Sequence, residues 1–305
     1  MRYCLLTNDV EETSIWFNRQ RRETGLSVVK EGLPLLLEIY RRSDIKSTFF
    51  FVGKMAKEYP QIVKMILPDG HEVGSHGWSH EVEDALDRLP FKQQVEHLRN
   101  SKSVLEDISG KEVVTFRAPS LRINHDTAAA LAETGYRVDS SVPSQRFDFF
   151  LSHGSRRKLR WFFAPRLPYR TAALDLTRRG KGSIVEVPLS AFFLPFVGTT
   201  MRLLPRTTQL ESWLHHLETR LNNKPVVFDI HPNEFIDESR EKRMIQRRSR
   251  NLISFILADL LRARLKIKNA GPRGVPLYTG LIDFFLSRRY RMVTIREYCR
   301  INGWL

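Results

Sequence analysis

Short, almost uninterrupted apolar runs recur along this chain, each separated from the next by a stretch with helical spacing, and that alternation restricts the fold more than any other feature. Residues 3–7, 46–52, 72–75, 113–117, 136–140, 184–187 and 225–230 read as strands, with a last one over 291–294. Between the first two, Leu33, Leu36, Leu37 and Tyr40 share one face of a helix over 28–42, and further helices are expected over 54–67 and about 91–108. Strands that alternate with helices pair in parallel, because the crossover helix returns the chain to the same end of the sheet. The pattern predicts an α/β fold, a largely parallel sheet or barrel, as one domain over residues 1–305. With 42% hydrophobic and 27% charged residues, the chain can supply one such core.

Two stretches break the rhythm. Residues 145–182 contain SRRKLRWFFAPRLPYR and read as a long basic and aromatic insertion over one face of the barrel. Residues 236–289 read as a helical extension, whose Arg-rich part at 236–268 carries Ile245, Leu252, Ile256 and Leu260 as its apolar stripe. The net charge of +15 is concentrated late: residues 151–305 hold 29 basic against 12 acidic side chains, while the first 150 hold 20 against 22. Such a field favours an anionic partner, either a phosphate-bearing substrate or an anionic membrane surface, unless it only solubilises the surface. No nucleic-acid-binding motif accompanies the arginines, so nucleic acid is not expected. Two cysteines, Cys4 and Cys299, are too few for a disulfide framework and fit a reducing compartment. The beginning, MRYCLLTNDVE, reads as a strand rather than a secretory leader, which leads us to expect a cytoplasmic protein. The most apolar segment, 187–201, is shorter than the roughly 20 residues a spanning helix needs.

Chemistry concentrates in HEVGSHGWSH, with histidines at 71, 76 and 80. His76 and His80 are four apart, so on a helical turn they face one side and can share a metal ion. A zinc peptidase helix needs Glu directly after the first of two such histidines; here Gly77 stands there, which disfavours that class. The first strand ends in TNDVE, where Asp9 and Glu11 project to the same face of an extended chain. One carboxylate can complete a three-ligand metal site while the other stays free as a base.

With these motifs in this order, the chain resembles the polysaccharide deacetylases with a NodB homology domain, the fourth carbohydrate esterase family, which implies an α/β fold of the distorted (β/α) barrel type with about seven strands. Its first motif departs from the usual TFDDG and is similar to a subgroup in which base and ligand are one residue apart. The resemblance implies Asp9 as base and Glu11, His76 and His80 as ligands of one divalent metal, zinc first and cobalt, nickel or iron as alternatives. RAPS at Arg117, Ala118, Pro119 and Ser120 matches the third motif; Arg117 would hold and orient the base carboxylate, and the amide near Ser120 and Pro119 would help an oxyanion hole. In FDIHPNEF, His231 would be the general acid, oriented by Asp139 of VDSS or by Asp229. The implied reaction is hydrolysis of an N-acyl group, acetyl or formyl, from an amino sugar in a glycan or lipid-linked glycan precursor. Peripheral contact at the inner membrane face is expected if the basic half and the apolar AFFLPFVGTTMRLL at 191–204 meet anionic lipid, or that loop simply packs on the barrel end. Two rival readings remain: a metal amidohydrolase acting on a small non-sugar amide, and a non-catalytic relative that binds glycan or anionic lipid.

Overall fold

The computed structural model describes residues 1–145, 161–192, 194–242, 252 and 262–305. In chain order its strands are β1 (Tyr3–Val10), β2 (Thr13–Ser14), β3 (Arg19–Gln20), β4 (Thr48–Phe51), β5 (Glu72–Ser75), β6 (Thr115–Phe116), β7 (Val138–Asp139), β8 (Tyr169–Ala172), β9 (Asp175–Arg179), β10 (Val185–Glu186), β11 (Val226–Asp229) and β12 (Arg291–Met292). The main sheet runs β11-β1-β4-β5-β6-β7-β10-β8-β9, with β12 beside the start of β1, and the seven strands from β11 to β10 are mutually parallel. This is the α/β architecture that the alternating pattern predicts.

The sheet curls so that the segment after β10 reaches back to β11. The Ser190 amide donates to the Val227 carbonyl at 3.1 Å, the Val227 amide donates to Ser190 Oγ at 2.9 Å, and Val197 bridges Asp229. The described strands therefore form a curled, incompletely closed barrel. Strands enclosed on both faces must be apolar throughout, and β1 and β4 are buried at every position. Each fully buried phenylalanine of the Phe49, Phe50, Phe51 run contributes about 1.5–3 kcal/mol relative to exposure. β5 can approach β4 closely because Gly74 has no side chain: a Cβ there would stand 2.7 Å from Phe50 Cδ1. Outside the sheet, helix Leu33–Arg42 buries Leu33, Leu36, Leu37 and Tyr40, as their spacing predicts.

One expectation changes. The described part of the 145–182 insertion is not only loop: β8 and β9 form a hairpin that adds antiparallel to β10. The cue lies in YRTA, where Tyr169 and Thr171 are buried and Arg170 is exposed, the period of a strand. In the apolar segment 191–204, Ala191, Phe196 and Met201 are buried against the barrel, as the packing alternative expects, while Leu204 is exposed. Of the stripe at Ile245, Leu252, Ile256 and Leu260, only Leu252 lies within the described residues, and it is exposed. Helices Arg262–Lys266, Gly274–Leu286 and Ile295–Ile301 make up the described C-terminal part. Cys4 and Cys299 are buried free thiols, and no described helix is long and apolar enough to cross a membrane.

Candidate active site and metal centre

The carboxyl ends of the parallel strands carry the polar cluster, the end at which barrels of this kind hold their sites. Asp9 is the penultimate residue of β1 and Glu11 lies just beyond it; His76 follows β5, Arg117 follows β6, Asp139 ends β7, and Asp229 and His231 stand at and beyond the end of β11. His71 precedes β5 and so sits at the opposite end, packed on Tyr40 and Phe49 and accepting from the Ser47 amide. It takes no part in the cluster.

His76 and His80 are not on a helix. They flank a turn in which Gly77 has φ of +73°, a left-handed conformation that glycine adopts without cost, and Pro119 packs over it. The turn is pinned from three directions: the Gly53 and Lys54 amides donate to the carbonyls of Gly77 and Trp78, and Ser101 Oγ donates to Gly77. These bonds bring the two imidazole centroids to 5.6 Å. The Nδ1–H of His76 donates to the Arg117 carbonyl at 2.9 Å, which leaves Nε2 with its lone pair facing the cluster.

One ligand atom from each of Glu11, His76 and His80 lies within 4.8 Å of the other two, so the three can hold a single ion. The donor set fits: two imidazoles and one carboxylate match the chemistry of zinc and its neighbours. A buried orphan supports the fit. Glu11 Oε2 lies 2.6 Å from His80 Nε2 yet makes no aligned hydrogen bond. Burial, the largest single influence, would raise the Glu11 carboxyl, but His80, with His231 and His76 behind it, outweighs it and holds the group well below the usual carboxylate range. Burial, then the neighbouring His80, pushes His76 down to about 3, so it is neutral and ready to ligate.

Asp9, Asp229 and His231 form a second cluster of similar compactness, but a cation already fills it. The Arg117 guanidinium, fully buried, has Nη1 3.0 Å from Asp9 Oδ1, 2.6 Å from Asp229 Oδ1 and 2.8 Å from Thr7 Oγ1. Its other nitrogens donate to the Ser140 carbonyl and hydroxyl, and its plane stacks 4.5 Å over Phe50. Burial and then repulsion from Asp9 push Asp229 up to about 6 in spite of that contact.

Around His231 the carboxylates within 4 Å are Glu234, 3.2 Å from Nδ1, and Asp229, 3.9 Å away. Asp139, the first partner expected for this imidazole, instead accepts from the Ser141 hydroxyl and amide and lies beside Glu186 across the β7–β10 ladder. Burial would lower the His231 pKa, but the Glu234 hydrogen bond and then Asp229 raise it well above its ordinary value. Glu234 escaped the sequence reading, although its position three residues past His231 in a capped turn is a recognisable signal. Ser120 has φ of +52° and lies in the first turn of a three-residue 3-10 helix, where amides have no partner inside the helix.

Residues 23–138 match the family model described as polysaccharide deacetylase. Among curated proteins, a peptidoglycan deacetylase of Helicobacter pylori is 31% identical over 123 residues, 40% of this chain and 41% of that protein. A peptidoglycan deacetylase-like protein of Gibberella zeae is 35% identical over 120 residues, 39% of this chain and 35% of that protein. The matched stretch thus spans about two fifths of these curated relatives or less. A solved structure from Mycobacterium smegmatis, described as a polysaccharide deacetylase, superposes with a TM-score of 0.63 at 17% identity over 98% of this chain and 90% of its own, a likeness of fold.

Proposed function

We propose, from the match of residues 23–138 to the polysaccharide deacetylase model and the likeness of fold, that the chain is a member of that family and a metal-dependent hydrolase that removes an acetyl or formyl group from the nitrogen of an amino sugar. The observation that carries this reading is the meeting of Glu11, His76 and His80 beside an Asp9 carboxylate that Arg117 clamps. A divalent cation held by Glu11, His76 and His80 would polarise the acyl carbonyl and acidify a neighbouring water. Zinc suits these donors best, and cobalt, nickel or iron would also be accepted.

Asp9 takes the proton of the attacking water. Its Oδ1 is held by Arg117, while Oδ2 points toward His76 Nε2 at 3.7 Å, so the carboxylate is oriented at the edge of the ligand set. His231 donates a proton to the departing amine, and the raised pKa conferred by Glu234 and Asp229 keeps that proton available. The backbone N–H at Ser120 serves the developing oxyanion, and Pro119 sets that turn against the histidine loop. Asp139 acts at a distance, within the buried wall behind Arg117. The substrate class is an acylated amino sugar in a glycan or lipid-linked precursor, and peripheral contact with an anionic membrane belongs to the same reading, supported by the +15 net charge.

The test is amine release from acetylated and formylated amino sugars by the metal-loaded protein and its Asp9→Asn variant. The variant is expected to keep its metal and to lose about a hundredfold to ten-thousandfold in kcat. Full activity in Asp9→Asn overturns the base assignment, and no amine release from any amino sugar by the parent overturns the substrate class.

A further inference from the structure

A helix packed against a barrel ordinarily turns its apolar stripe inward. Helix Pro205–Asn222 does the reverse. It buries Thr208, Glu211, Ser212, His215, His216 and Thr219. Leu210, Trp213, Leu217 and Leu221 are 59%, 49%, 49% and 87% exposed. Spaced three, four and four residues apart, they line one outward face over roughly 16 Å. Three of the inward polar groups have local hydrogen bonds: Ser212 donates to the Thr208 carbonyl, Thr219 to those of His215 and Lys224, and His216 Nδ1 pairs with the Tyr290 hydroxyl. Trp213 packs edge-on against Phe284 and His216, but no described contact of this kind accounts for the outward leucines.

Basic side chains border this ridge. Arg206 and Arg220 are on the helix itself, and Arg288 stacks over Trp213 at 4.3 Å. The helix's two acids face elsewhere: Glu211 is buried and Glu218 is gripped by Arg166 and Lys224. Among the described residues Arg2, Arg206, Arg220 and Arg288 form no ion pair with a carboxylate. Their field is felt inside, where burial and then Arg2, Arg288 and Arg220 hold the His216 imidazole below its ordinary pKa.

We infer that the outward face of helix Pro205–Asn222 docks on a lipid bilayer bearing anionic headgroups, with Leu210, Trp213, Leu217 and Leu221 entering the interface and the arginines meeting phosphates. An apolar ridge with an interfacial tryptophan and a basic border is the chemistry such a surface recognises. A second copy of the chain is a poorer occupant. A two-fold contact places the same patch on both sides, so these unpaired arginines would face their own equivalents. The inference rests on the membrane-contact part of the proposed function and not on the chemistry at the metal ligands.

Co-sedimentation of the full chain with vesicles of phosphatidylcholine mixed with phosphatidylglycerol, against phosphatidylcholine alone, tests it at low salt. The anionic vesicles are expected to capture the protein, and Leu217→Gln combined with Leu221→Gln to weaken capture on the order of tenfold. Leu174→Gln, at an exposed leucine between β8 and β9, serves as control and is expected to leave binding unchanged. Both altered leucines are at the surface, so circular dichroism and hydrolysis of a soluble acylated amino sugar should match the parent, and those readouts separate failure of the surface from failure of the catalytic reading. No capture at low salt, capture insensitive to the double variant, equal loss in Leu174→Gln, or a parent dimer that the double variant dissolves would each overturn the inference.

Discussion

His80→Ala is expected to lose bound metal and turnover together, with kcat falling by a thousandfold or more, on the order expected when the Lewis acid is removed from a metal hydrolase. His80 closes the site from the loop side, 2.6 Å from Glu11, and no other described imidazole is placed to substitute for it there. The loss is specific to the metal because the Gly77 turn is held by backbone bonds from Gly53 and Lys54, which the substitution leaves intact. Metal content by elemental analysis and amine release, measured on the same preparation with circular dichroism as a folding control, check it. An active His80→Ala protein with its metal retained contradicts the ligand assignment.

The second large effect is on stability. Arg117→Met removes the one guanidinium between two buried carboxylates, Asp9 and Asp229, and leaves them facing each other without a counter-charge. Breaking a buried pair in this way costs about 3–5 kcal/mol, part of which the protein recovers by protonating a carboxyl. The direction with pH follows from Asp229. Its folded pKa is already raised to about 6 by burial and by Asp9, above the unfolded carboxyl, so ionising it opposes folding; that penalty grows as pH rises through the folded value and vanishes below the unfolded one. Without Arg117 the folded value climbs further. The thermal-melt deficit of Arg117→Met should therefore be largest at neutral to alkaline pH and shrink toward pH 4, and adding Asp229→Asn should recover stability without restoring turnover. A deficit independent of pH would show that Arg117 acts through packing on Phe50 instead.

How far the sequence reached depends on what each feature rests on. β1, β4 and β11 were legible because strands enclosed on both faces leave uninterrupted apolar runs, YCLL, TFFF and VVF. The parallel order followed from their alternation with helices. Asp9 and Glu11 were legible as carboxylates at a strand end and His76 and His80 by their spacing, whereas Arg117 came only through the family resemblance. The local geometry at His76 was not: spacing by four reads as a helical turn, whereas Gly77 makes a left-handed bend that reaches the same proximity by another path. The partner of His231 depended on side-chain direction around the barrel mouth, where Glu234 arrives through a turn and Asp139 points toward Ser141. Helix Pro205–Asn222 exposes a deeper limit. Its period is visible, but period alone does not say which face is inward when Thr208, Ser212, His216 and Thr219 find bonds inside and the leucines lie outside.

Catalysis depends on which of two adjacent clusters takes the metal. Anomalous scattering from crystals grown with zinc decides it directly: the account predicts one strong peak within bonding distance of Glu11, His76 Nε2 and His80 Nε2, with Arg117 still between Asp9 and Asp229. A peak among Asp9, Asp229 and His231 with that guanidinium displaced, or no peak at either cluster at saturating zinc, would contradict it.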